Sequence, residues 1–169
     1  MKNFKNRFLF NLNYYLLWIG YFLFARLFFL LFHFNKTQEL GFVTSLKTFI
    51  YGIYLDFSFA AYLSIIPFLL IIFSVFVTSK KIRTIIKWYS YILLIFINLL
   101  LIIDAGLYQS WGIRLDTSLL PYLNTPELMI ASTSTFQLIS GFIFWFLSSY
   151  IFIKIFKRSI NKNLNKITK

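Results

Sequence analysis

Few residues in this sequence can do chemistry. Arg26, Asp56 and Asp104 stand inside or at the edge of long apolar runs, and Arg114 and Asp116 stand together in the motif GIRLD. An ionised side chain near the centre of a membrane helix costs at least about 2.5 kcal/mol. The first three are therefore expected to turn inward as an intramembrane ion pair, with a headgroup or proton site as the functional alternative. Arg26 and Asp56 fall at similar depth if their helices are antiparallel. The planar fork of Arg114 suits a lipid phosphate, with Asp116 beside it. For both groups the structural reading is preferred: ion pairs, helix caps, or long side chains that snorkel to the interface.

Other chemistry is excluded by what the chain lacks. It has no cysteine, so disulfides, thiolate metal sites and cysteine nucleophiles are ruled out. A single histidine, His33, cannot build a histidine metal cluster. There is no glycine-rich phosphate loop, no HExxH, no GxSxG and no acid-rich cluster. No catalytic, cofactor-binding or metal-ligating residue is assigned.

The elements that position these residues are membrane helices. The 169 residues are 59% hydrophobic, 22% aromatic and only 13% charged, with a mean hydropathy of +0.74. That composition is too apolar for a soluble domain. Uncharged windows at 57–79 and 136–153 reach the length of a spanning helix, and 8–25 matches it. The net charge of +12 might point to nucleic acid, but the cations sit between and beside apolar runs and form no continuous basic face, so nucleic acid is not a partner; the lipid bilayer is.

The fold expected is an all-α integral membrane protein of four transmembrane helices, about 14–34, 50–78, 86–107 and 136–156. The whole chain forms one membrane domain. The N-terminus MKNFKNRFLF resembles a secretory signal, but Leu23 and Arg26 flank Ala25 where cleavage needs small residues, so it reads as an uncleaved first span. A short polar loop is expected at 35–45. Pro67 should kink the second helix, a defect that Ser64 or a packed neighbour relieves. Trp88, Tyr89 and Tyr91 at one end of the third helix, with Tyr108 and Trp111 at the other, form aromatic belts.

Segment 108–135 is the longest polar interruption. Leucines 115, 119, 120 and 123 recur at near-helical spacing and predict a short amphipathic helix lying on the membrane. Thr125 as N-cap, Pro126 at the first position and Glu127 in the first turn predict a second at about 126–131. Ser134 and Gln137 match a capping box that opens the last long helix, which ends in a basic tail, 157–169.

With these spans in place the chain resembles the N-terminal membrane region of the lipoteichoic acid synthase-like sulfatases, in the alkaline phosphatase superfamily. The residues that carry the likeness are ARLFFLLFHF in the first span, KTFIYGIYLDFSFAAYL opening the second, and LYQSWGIRLDTSLLPYLNTPELMIAS between the third and fourth. The resemblance implies a membrane domain, typically of five helices, followed by an extracytoplasmic domain with a threonine nucleophile and a bound divalent metal. Such enzymes hydrolyse sulfate esters or transfer phosphate-bearing headgroups from lipids. Four spans and a basic tail depart from that pattern, so no catalytic or metal residue carries over, and a truncated gene or a domain excerpt is expected. The implied partner is a downstream or separate extracytoplasmic sulfatase-like domain. Two other classes are a stand-alone structural or assembly protein of the membrane, and a small transporter using Arg26, Asp56 and Asp104. No internal repeat supports the transporter.

Positive charge sets the expected orientation. Lys2, Lys5 and Arg7, then Lys80, Lys81, Arg83 and Lys87, then Lys154, Lys157, Arg158, Lys162, Lys166 and Lys169 make thirteen of the seventeen basic residues. Four spans put all three groups on one side, and the five acids fall on or toward the other. Both termini are then cytoplasmic, in a cell membrane, with 108–135 outside. Reporter fusions at Lys169 and near Asn124 should read opposite sides; the same side for both would refute this topology.

Overall fold

The computed structural model describes residues 2–74, 79–117 and 134–167. Five helices appear among them: α1 (Lys2–Phe32), α2 (Phe34–Leu40), α3 (Phe42–Phe73), α4 (Ser79–Trp111) and α5 (Thr135–Ile167). No strand occurs among the described residues. Four helices are long and apolar enough to cross a membrane, over Phe4–Phe32, Phe42–Phe73, Lys81–Trp111 and Thr135–Asn165. At about 1.5 Å per residue each exceeds a hydrocarbon core of about 30 Å, a length that a bilayer accommodates by tilt, a kink or ends outside the hydrocarbon. The chain divides into two compact units, Met1–Ile92 with Phe152–Lys169, and Leu93–Ile151.

The first unit is held by an aromatic seam. Phe10, Tyr14, Trp18 and Tyr21 of α1 are buried, as are Ile82 and Ile86 of α4 and Phe156, Ile160 and Leu164 of α5. The edge of Trp18 meets Phe156 with ring centroids 5.0 Å apart, and Tyr21 meets Phe152 at 4.9 Å, the T-shaped geometry that aligns ring edges with faces. Lipid is as apolar as leucine, so helices associate through close packing and hydrogen bonds rather than hydrophobic burial. Tyr14 supplies such a bond: its hydroxyl lies 2.9 Å from Ser90 Oγ. Ser90 already donates to the Ile86 carbonyl at 2.7 Å, so Tyr14 is the donor.

Along α3 the buried residues are Asp56, Ala60, Leu63, Pro67 and Ile71, a stripe at helical spacing. The other faces carry Tyr51, Tyr54, Leu55 and Tyr62, which are 70%, 71%, 74% and 69% exposed. So much exposed apolar surface is suited to lipid rather than water.

Pro67 lies inside α3 and cannot donate to the carbonyl four residues back, that of Leu63. The hydroxyl of Tyr89 on α4 donates to it at 3.0 Å. Ser64 instead turns back onto the Ala60 carbonyl at 2.7 Å, so the packed neighbour relieves the defect and the serine does not.

Several boundaries differ from the sequence reading. The helix that holds the first expected span begins at Lys2, N-terminal to 14, and Asn13 is accommodated within it by donating to the Leu9 carbonyl at 2.7 Å. It breaks at His33, and the expected polar loop at 35–45 holds α2 and the start of α3, with only Gly41 between them at φ 78°. The Thr37 hydroxyl bridges the break, 2.9 Å from the Leu30 carbonyl and 3.0 Å from that of His33. The basic tail is helical to Ile167, since Ile160 and Leu164 continue the buried spacing of Phe156. The capping box forms at the start of α5: Ser134 N donates to Gln137 Oε1 at 3.0 Å and Gln137 N to Ser134 Oγ at 3.3 Å. The surface helices expected at 115–123 and 126–131 fall outside the described residues, except for residues 115–117.

Tyr89→Phe should leave the Leu63 carbonyl without its donor and lower stability by about 1–3 kcal/mol. In a Pro67→Ala background, residue 67 supplies the bond itself and the loss should shrink. Thermal unfolding of the four proteins in detergent checks this; equal losses in both backgrounds would disprove the pairing.

Candidate functional site

The charged residues gather into two clasps, one in each unit. In the first unit Arg26 reaches from α1 onto α3. Its Nη2 lies 2.7 Å and 2.8 Å from the two carboxylate oxygens of Asp56, and its Nη1 donates to the Thr48 carbonyl. Thr48, Gly52 and Asp56 stand four apart and so share one stripe of α3. A Cβ on Gly52 would overlap the guanidinium, so this glycine is the floor on which Arg26 rests. Arg26 is 20% and Asp56 10% exposed at the side chain, enclosed enough that each needs the other. Arg26 Nε is buried with no acceptor.

In the second unit Asp104 pairs with Arg114. Arg114 Nη2 lies 2.7 Å from Asp104 Oδ2, and its Nε lies 3.0 Å and 2.9 Å from the two oxygens. The backbone N–H of Leu115 adds a bond of 2.8 Å to Oδ1. The chain can fold back in this way because Gly112 takes a positive φ of 72°, and its N–H closes α4 on the Tyr108 carbonyl at 3.1 Å. GIRLD is thus a return turn locked to α4. Asp104 is nearly enclosed while Arg114 is 61% exposed at the side chain. Asp116 is exposed just beyond the turn.

A polar cluster in the second unit was not foreseen. Asn98 Nδ2 on α4 lies 2.7 Å from Ser148 Oγ, 2.8 Å from Ser149 Oγ and 3.2 Å from the Trp145 carbonyl, all on α5. Trp145 returns a bond from Nε1 to the Ile95 carbonyl at 3.1 Å. Asn98 is the only polar side chain in the uncharged run 92–103, which is the signal that would have found it. Close approach helps: a Cβ on Gly141 would meet Ile102 at 3.2 Å.

None of these groups forms a nucleophile with an activating base. His33 is buried and packs against Phe29 and Phe32, with ring centroids 4.6 Å and 5.0 Å away. Among the described residues no three His, Cys, Asp or Glu gather as a metal site would require. The arrangement holds helices in register within each unit and fixes the turn that follows α4. Comparison with models of protein families, with curated proteins and with solved structures finds no match.

Gly52→Ala should force the guanidinium off α3 and destabilise the protein about as much as Arg26→Ala. Because both changes act through one contact, the double variant should be no worse than Arg26→Ala alone. Arg26→Ala and Asp56→Ala should each cost at most about 3–5 kcal/mol and be non-additive. Unfolding in detergent measures all five; additive losses would rule out the clasp.

Proposed function

We propose that this chain is a multi-pass membrane anchor and platform domain of the kind found in lipoteichoic acid synthase-like sulfatases and phosphoglycerol transferases, with both termini cytoplasmic and the GIRLD turn outside. The observation that carries the reading is the Asp104–Arg114–Leu115 lock. Its Arg114 and Leu115 lie in the stretch of greatest resemblance to that family, and the lock gives the start of the loop a fixed geometry at the end of a long apolar helix. A chain that needed only to anchor would not require a turn held by a carboxylate, a guanidinium and a backbone donor. Held at a membrane surface, an enzyme domain meets lipid headgroups at high effective concentration without any new contact.

In this reading the chain positions and its partner, a downstream or separately encoded extracytoplasmic domain with its own divalent metal, performs the chemistry. The charged groups support positioning over transport, because Arg26, Asp56, Asp104 and Arg114 are engaged with one another. The chain alone should not turn over sulfate or phosphate esters. Joining a family catalytic domain through an added fifth span should give lipid-dependent activity, reduced by Arg114→Ala and by scrambling the loop 112–133. If the scrambled loop supports the same activity and lipid dependence, the domain is an anchor only.

A further inference from the structure

Four cations of the first unit lack any carboxylate partner among the described residues: Arg7 on α1, Arg83 and Lys87 on α4, and Lys157 on α5. Arg7 precedes Tyr14 and Arg83 precedes Ser90 by roughly two helical turns each. Each arginine therefore lies on the helix face that carries the Tyr14–Ser90 hydrogen bond. Lys87, a turn from Ser90, is within electrostatic reach of both Arg83 and Lys157. The Nε atoms of Arg7 and Arg83 are both enclosed and have no hydrogen-bond partner. Asp56 and Asp104 are held by Arg26 and Arg114, while Glu39 lies in α2 and Asp116 beyond α4.

Cations drawn together without a counter-ion repel, and enclosed donors without acceptors are unfavourable; one bound anion repairs both. Exposed Phe4 and Phe8 flank Arg7 on α1, Phe4 one turn before it. An occupant that carries acyl chains beside its negative charge matches that surface better than a free ion.

We infer that Arg7, Arg83, Lys87 and Lys157 form a site for the phosphodiester of an anionic phospholipid, in the leaflet that meets this end of the helices. Arginine supplies directed donors to the phosphate oxygens, and the lysines supply charge. The site does not depend on the platform reading, since it requires only that the chain sit in a bilayer.

The test uses the full chain in lipid discs of phosphatidylcholine with or without phosphatidylglycerol, reading the unfolding temperature and the binding of a fluorescent phosphatidylglycerol. Phosphatidylglycerol should raise the unfolding temperature of the native chain. Arg83→Ala and Lys157→Ala should each weaken probe binding about fivefold. Lys162→Ala removes an equal charge from an exposed position on α5 and should leave binding near native. Arg83→Lys, which keeps the charge and guards against misfolding, should retain part of the affinity. Equal weakening by Lys162→Ala would reduce the effect to general surface charge and overturn the site. Displacement of the probe by inorganic phosphate at comparable concentration would overturn the lipid as its occupant, as would native binding by the Arg83→Ala/Lys157→Ala double variant.

Discussion

An arginine among apolar helices must find its acceptors on another helix, and the pairing of α1 with α3 is shaped by that need. Arg26 takes a carboxylate and a carbonyl from one stripe of α3 and lies over the glycine between them. The glycine is what lets the guanidinium approach the backbone, and the carboxylate is what makes the approach favourable. Neither feature would hold the pair alone. A bare glycine gives space without attraction, and an aspartate beside a larger residue gives attraction without space.

The same economy recurs wherever helices meet. Within the first unit, α1 reaches α4 through Tyr14 and Ser90, and α4 reaches α3 through Tyr89 and the Leu63 carbonyl. Within the second, α4 and α5 meet through Asn98 and the serine pair. Apolar side chains in lipid discriminate weakly between one register and the next, because a slipped helix exchanges one greasy contact for another. A hydrogen bond in the same place does discriminate, since a slip leaves a donor or acceptor unmet. The aromatic rings supply contact area, and the sparse polar groups choose the alignment.

Much of this was legible in the chain, and the limits have physical causes. Long uncharged runs and the Ser134–Gln137 signature depend on local chemistry, so the helical class and the start of α5 could be read directly. The N-terminal extension of α1 was hidden because Asn13 satisfies itself within the helix, which makes a residue that looks interfacial compatible with a span. The pairing of Asp104 with Arg114 was hidden for another reason. It depends on a reversal at Gly112, and a glycine in sequence does not announce its φ. Thr48, Gly52 and Asp56 are visible as a four-residue repeat, but only the approach of Arg26 gives that repeat meaning.

The carbonyl freed by Pro67 also bears on how the chain enters a bilayer. As synthesis proceeds, α3 precedes α4, so the Leu63 carbonyl faces hydrocarbon with no donor until Tyr89 arrives. A lone α3 would carry that unmet carbonyl, a cost of about 1–3 kcal/mol, until α4 packs against it. Insertion of α3 and α4 together as a hairpin removes that penalty at the moment of entry.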